Sequence, residues 1–386
     1  FFMLFMAGAA WLVNNVIENL RILGKDFDFG FLTVRAGYDI NQRLVEYSND
    51  STHARAMLIG LLNTLLLAFL ACITATIVGI LAGVLRLSKN WVVARLMTLY
   101  VETFRNVPLL LWILLVNAIM TESMPSPRDF RGADATASMM LNDSVAVTNR
   151  GTYVPEPLFT NSLGNIDIGI FLISIDLLAV LAAVYVGIYI NRAVLRRATR
   201  IQHETGVRPT TWWQSVLLIA GIPLVLLALL GFHLGYPEMK GFNFSGGIHL
   251  RNSLLAMWIA LTLYTGAFIA EIVRAGILAI SRGQSEASFA LGMQPGRTMQ
   301  LVVLPQALRV IIPPLISQYL NITKNTSLAL AVGYMDLRST LGGTTINVTG
   351  RELEGMMLMM LVYLVISLII SGAMNFYNTR VQLRSR

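Results

Sequence analysis

Residues Gly283–Pro305 read GQSEASFALGMQPGRTMQLVVLP, a polar, helix-forming stretch between two long apolar segments. Loops between membrane helices are commonly short, so a structured hairpin at this place implies that something outside the membrane grips it. Ser281 followed three residues later by Gln284 predicts a capping box. Glu286 is expected in the first turn, where the helix dipole favours negative charge. Ser285 to Leu291 would form about two turns, in which Ala287 and Ala290 let a partner surface approach closely. Gly292 is placed to end that helix in a left-handed conformation, and Pro295 suits the first turn of a second helix. The expectation is two short helices meeting at a sharp angle.

The flanking segments set the environment. Of the 386 residues 55% are hydrophobic and 13% charged, too apolar for a soluble chain of this length. Several runs exceed the ~20 residues a helix needs to cross a bilayer, so the chain is an integral membrane protein. A single cysteine, Cys72, inside an apolar run excludes a disulfide framework and points to packing. The net charge of +8 is explained by loops facing the cytoplasm and lipid headgroups rather than nucleic acid. Phe1 opens inside an apolar run, which predicts a further N-terminal segment ahead of it. The run to Val16 ends in Asn14 and Asn15 without a small-residue cleavage pattern, so it reads as a membrane helix and not a signal peptide.

Eight spans are expected, at about 1–19, 57–86, 95–120, 167–190, 213–235, 251–278, 306–334 and 356–378. Segments 86–95, 191–211, 279–309 and 379–386 together hold fourteen Lys or Arg against the two acids Glu204 and Glu286. The opposite segments hold twelve basic and fourteen acidic residues over a longer stretch. Basic density therefore puts the 283–305 hairpin and both termini in the cytoplasm. Segment 121–166, with Pro125, Pro127, Pro155 and Pro157, reads as an external loop without a core of its own. Segment 20–56 mixes aromatic and charged residues in the manner of an interfacial stretch.

Ionisable groups within spans are costly and mark candidate sites. Glu102 and Arg105 are three apart, as are Glu271 and Arg274, so each pair shares a helix face and could pair locally. That local pairing would pin helices near their cytoplasmic ends, and for Glu271 it is the favoured reading. Arg105 is followed by Asn106 and Pro108, whose missing amide weakens the helix and favours a substrate cavity there. Lys324, Asn325, Thr326 and Ser327 follow Pro313 and Pro314, which are expected to interrupt their span. A cation, an amide and two hydroxyls suit an amino acid's carboxylates; equally, the lysine could snorkel and the hydroxyls satisfy the freed backbone. Asn63 and Thr64 are further path candidates, whereas Asp176 reads as structural. Catalytic residues are not found: there is no phosphate-binding GxxxxGK[ST] loop. The four histidines, His53, His203, His233 and His249, lack metal-ligand spacing.

The hairpin resembles the coupling loop of bacterial ABC-importer permeases, with Glu286, Ala287 and Ser288 as its Glu-Ala-Ala triplet, Gly292 as its glycine, and Leu304 and Pro305 as its close. Ser288 replaces the third alanine, a small-for-small change. GLLNTLLLAF, YVETFRNVPLLLW, LYTGAFIAEIVRAGI and TKNTSLA, in that order, resemble the general L-amino-acid importers of Gram-negative bacteria, including the glutamate/glutamine/aspartate/asparagine systems. The resemblance implies an all-α permease whose five-helix core lies at 57–120 and 251–386. Segment 1–56 and the span pair in 121–250 are then additions, and the coupling hairpin spans 281–305, with Gln284 among its contact residues. It implies two cytoplasmic ATPase subunits that bind ATP and Mg, a periplasmic amino-acid-binding protein, and a second permease in a heterodimer in the bacterial inner membrane. No cofactor is implied in this chain, and the protein would be a non-catalytic subunit. The alternative is a secondary amino-acid transporter or channel; its inverted repeats with matching broken helices are not visible.

Overall fold

The computed structural model describes residues 2–22, 27–132, 135–169 and 172–381. In chain order the first helices are α1 (Phe2–Ile22), α2 (His53–Leu85), α3 (Trp91–Asn106) and α4 (Leu109–Glu122). Strands β1 (Ala146–Thr148), β2 (Gly151–Val154), β3 (Glu156–Phe159), β4 (Asn165–Asp167) and β5 (Leu172–Ser174) follow. Then come α5 (Ile175–Thr205), α6 (Trp212–Val216), α7 (Ile222–Leu229), β6 (Phe232–Gly235), β7 (Glu238–Lys240), β8 (Asn243–Ser245) and β9 (Ile248–Leu250). The chain closes with α8 (Asn252–Leu278), α9 (Arg282–Ala290), α10 (Pro295–Thr298), α11 (Leu304–Asn325), α12 (Leu337–Ser339), α13 (Ile346–Thr349) and α14 (Glu352–Val381). Among the described residues six helices are long and apolar enough to cross a membrane, seven if the bent pair α3 and α4 is one span. The eighth expected span does form a helix, α1, but Asn14, Asn15, Glu18 and Asn19 dilute its apolar run and it is not among those six.

Two compact units divide the chain, Phe1–Met120 with Asn252–Arg386, and Thr121–Arg251. The first is built on α8, whose Ala256, Met257, Ala260, Leu261, Ala267 and Ala270 are buried. Small residues let α2 lie against it: a Cβ on Gly83 would sit 2.6 Å from the Ala270 carbonyl oxygen. Polar bridges add to this packing, Thr74 to Thr262 at 2.6 Å, Trp258 Nε1 to Thr74 at 3.0 Å, and Thr76 to Tyr319 on α11 at 2.8 Å. Such interhelical bonds are a recurring adhesive where no water competes. The stretch before α2 does not skirt the surface. Phe31 is buried with Leu337, Leu341 and Met359, while Ala36, Ile40 and Tyr47 pack on Ala56 and Ile59.

One expected helical interruption forms at Pro108, and the other, at Pro313 and Pro314, does not. The α3–α4 pair bends by 107° at Val107–Pro108, so 95–120 is not one straight crossing. Pro313 and Pro314, by contrast, lie inside a continuous α11. The break comes later, where Thr326–Val332 tighten into a 3-10 turn that ends at Gly333. Proline removes one backbone bond and crowds one carbonyl; in α11 both prolines are exposed, which leaves those carbonyls room to tilt.

The second unit corrects the all-α expectation. Among the described residues its nine strands are three or four residues long and form antiparallel pairs, among them a three-stranded sheet β1-β2-β9. Tyr153 opposes His249 there and stacks on its ring at 4.3 Å. Ala146, Tyr153 and Phe244 are buried together, with Phe130, Met139 and Met239 against them. Segment 121–166 therefore shares a small core with 238–250. The spans of this unit also shift. The first begins at Ile175, after the β4–β5 hairpin, and continues through the basic stretch to Thr205, where Gly206 caps it in a left-handed conformation. The second runs Trp212–Leu229 through a π turn at Leu217–Gly221. Asp176 accepts from Ser162 Oγ at 2.6 Å and Leu163 N at 2.8 Å, a structural role.

Candidate functional site

The 283–305 stretch folds as a helix, a glycine and a second helix start. Helix α9 begins at Arg282, so Glu286 lies in its second turn, beyond the first-turn position expected of it. The capping box does not form: Ser281 is extended, with no side-chain cap bond. Its carbonyl accepts from Gln284 N at 3.1 Å, and the Gln284 side chain turns toward Gln306. The far end matches expectation. Gly292 has φ +78°, its amide bonds the Phe289 carbonyl at 2.9 Å, and Met293 N bonds the Ser288 carbonyl at 3.1 Å. This is the paired closure that left-handed glycine makes possible. Pro295 opens α10, but α10 does not stop as a short helix. It runs through a π turn at Met299–Val303 into α11, giving one helix of 38 residues, Pro295–Val332.

The hairpin's side chains divide sharply. Glu286, Ala287, Phe289, Ala290 and Leu291 are exposed, with Leu291 83% open. Ser288 faces inward instead, buried and bonded to the Gln284 carbonyl at 2.8 Å. Leu304 and Pro305 are exposed on the continuing helix.

A second cluster gathers charge where α2, α3 and α8 meet. Glu271 is its centre. One oxygen takes Arg274 at 2.6 Å and the other takes Arg86 at 2.5 Å. Arg86 also reaches Glu102 at 3.7 Å. Glu102 therefore pairs across helices, and no ion pair joins it to Arg105. Sequence spacing flagged the acids and Arg105, but Arg86 was invisible as their partner because it comes from a different helix end. With three arginines on two carboxylates, Arg105 is left at the margin, 4.0 Å from Glu271 and stacked over Phe268 at 5.4 Å. It lines a cavity of about 420 Å³ together with Phe268, Glu271, Pro314 and Gln318. Asn106, beside it, is exposed and donates to the Glu102 carbonyl at 2.8 Å.

Gln318 begins a row of amides of which sequence reading found Asn325 but missed Gln318 and Asn321. Val310, Pro314 and Gln318 line the cavity, and three- and four-residue steps along α11 carry the same face to Asn321 and Asn325. The signal was the amide spacing itself, hidden among apolar residues. Lys324 sits next to that row, exposed, with no ion-pair partner among the described residues. The hydroxyls nearby serve the backbone: Thr326 donates to the Thr323 carbonyl and Ser327 to the Lys324 carbonyl, each at 2.8 Å.

Asn63 and Thr64 are fully buried. The Asn63 amide donates to the Gln42 and Met335 carbonyls at 2.8 Å, and Thr64 Oγ1 accepts from Leu337 N at 3.0 Å. Both tie α2 to the Tyr334–Ser339 segment, where Asp336 accepts from Ser339 N and Oγ at 2.9 Å. Among the described residues no group of His, Cys, Asp and Glu could hold a metal.

Comparison with known proteins agrees with this membrane architecture. Residues 212–383 match the family described as the binding-protein-dependent transport system inner membrane component. The glutamate/glutamine/aspartate/asparagine transport system permease protein BztB of Rhodobacter capsulatus is 59% identical over 393 residues, 100% of this chain and 92% of that protein. The general L-amino acid transport system permease protein AapQ of Rhizobium johnstonii is 42% identical, over 97% of this chain and 89% of that protein. The putative amino-acid ABC transporter permease protein YhdX of Escherichia coli is 41% identical, over 97% and 91%. The chain belongs to the family of amino-acid ABC transporter permeases, and it is a multi-pass transport component.

Proposed function

We propose that this chain forms one half of the path for L-amino acids, chiefly glutamate, glutamine, aspartate and asparagine, through the bacterial inner membrane. The hairpin 281–305 couples it to one of two cytoplasmic ATPase subunits, which bind ATP and Mg. A periplasmic binding protein delivers the substrate, and a second, related permease completes the path as a heterodimer. The substrate reading is supported by the relative that is 59% identical over the full chain. The relative at 42%, a general L-amino acid permease, supports a range broader than acidic and amide side chains.

The observation that carries the reading is the incompletely neutralised cation at the cavity wall. Glu271 is saturated by Arg274 and Arg86, so Arg105 keeps donors for a carboxylate. A guanidinium can bind a carboxylate in bidentate fashion, and the amide row Gln318, Asn321 and Asn325 offers donors and acceptors for the rest of an amino acid. Lys324 supplies a second cation on the same helix, and its exposure on a span fits a water-filled path or a polar partner better than lipid. In the coupling step, ATP-driven approach of the two ATPases brings the two hairpins together and rocks the spans. The exposed Glu286, Ala287 and Leu291 are the surface gripped, and the inward Ser288 holds the hairpin's own shape.

Uptake of labelled glutamate by vesicles holding the assembled transporter tests this. Arg105→Gln should lower uptake at least about tenfold, the cost of losing one charge-assisted hydrogen bond, with unchanged complex yield. Wild-type uptake in that variant would remove Arg105 from the path.

A further inference from the structure

The helix pair α5 and α6–α7 has no part in the transport reading, yet one of its faces is ordered by chemistry. The two helices come close at Gly187, where a Cβ would collide with the Leu218 carbonyl oxygen. Trp212 and Trp213 precede Leu218 by six and five residues. In an antiparallel pair they therefore stand level with Ala193 and Arg192. Both indoles are exposed, at 72% and 51%, as interfacial tryptophans are.

The face of α5 that turns away from α7 is just as graded. The buried side carries Gly187, Asn191 and Ala198. At 100° per residue, Leu178, Leu181, Tyr185, Tyr189, Arg192 and Arg196 fall in a stripe on the opposite side, and all are exposed. Apolar side chains thus give way to two tyrosines and then to arginines along a single line. A rise of ~1.5 Å per residue puts Arg196 about 10 Å beyond Tyr189, with Arg200 about 6 Å further. That is the step from the aromatic belt to the phosphate layer. Arg192, Arg196, Arg197 and Arg200 have no ion-pair partner among the described residues, and Glu204 is the single acid between 191 and 211.

We propose that this face is a binding site for anionic phospholipid. Arg192, Arg196 and Arg200 engage the phosphate and the anionic headgroup, Tyr189, Trp212 and Trp213 hold the glycerol level, and Leu178 and Leu181 meet the acyl chain. An acidic protein would match the arginines but not the apolar run continuous with them. A zwitterionic lipid would leave the surplus positive charge unanswered.

The test uses the full chain in lipid nanodiscs, with spin-labelled phosphatidylglycerol compared against spin-labelled phosphatidylcholine. A basic residue near an anionic surface is worth roughly fivefold in association, so phosphatidylglycerol should be preferred by about fivefold or more. The preference should fall as salt is raised. The triple variant R192Q/R196Q/R200Q should bring the two lipids close to parity, while Lys240→Gln leaves the preference intact. Should the triple variant not fold, the single R196Q is expected to lower the preference about threefold, less than the full value of one exposed cation. Equal association of the two lipids with the wild-type chain would overturn the proposal, as would a full preference in the folded triple variant. Loss of a co-purifying ATPase subunit from that variant, with no lipid preference in the wild type, would assign the face to a protein instead.

Discussion

Asp336 is a buried acid held in a network of donors. It is fully buried, and Ser339 N, Ser339 Oγ and Tyr363 Oη all donate to its carboxylate, the last at 3.2 Å. Removing the carboxylate strands those donors, so Asp336→Ala should cost about 2 kcal/mol or more, seen as a lower unfolding temperature in detergent, with Asp336→Asn milder. An unchanged temperature would mean that the network is not a structural anchor. Lys324 is the opposite case, a charge with no fold to hold. Lys324→Ala should leave yield and ATPase docking intact while lowering uptake of acidic and amide amino acids; a variant that merely expresses poorly would make Lys324 structural. Intramembrane charge was legible in the sequence, because few such residues occur and each stands out against apolar neighbours. Their partners were not. Spacing of three suggested Glu102 with Arg105, but Arg86 at the end of α2 is nearer to Glu102 in space, and only packing reveals that.

At the scale of elements, the glycine and proline signals read well, whereas the capping box and helix continuity did not. Gly292 and Pro295 stand where their backbone preferences require. Helix α10 nevertheless flows into α11, since a π turn absorbs the irregularity just before Pro305. The strands escaped notice because three or four residues are too few to display alternation, and because β2 pairs with β9 from far along the chain. The hairpin prediction belongs here. Gly292→Glu adds strain at positive φ, roughly 1 kcal/mol, together with bulk and charge on an exposed corner. It should abolish uptake while membrane insertion and helical content stay near wild type. Retained uptake would mean that the corner is not gripped.

For the whole molecule, the basic residues predict the orientation and the single hairpin predicts the stoichiometry. In a chain with Cys72 replaced by Ser, a cysteine at Asn142 should label from the outside, and one at Gln202 or Gln300 only after permeabilisation. The reverse pattern would contradict the argument from basic residues. One chain supplies one hairpin, whereas a closing ATPase pair needs two, so a second permease is expected to join as a heterodimer. Mass measurement that finds two identical copies in an active complex would count against that. The most direct measurement is ATP-driven uptake of labelled glutamate by proteoliposomes containing this chain, its partner permease, the ATPase and the binding protein, with and without Glu286→Lys. Coupling through the hairpin predicts ATP-dependent uptake in the wild type and a fall of at least about a hundredfold in its rate, about 2.7 kcal/mol in the barrier, in the variant. Uptake at the wild-type rate in Glu286→Lys, or uptake that ignores ATP and follows an ion gradient, would contradict it.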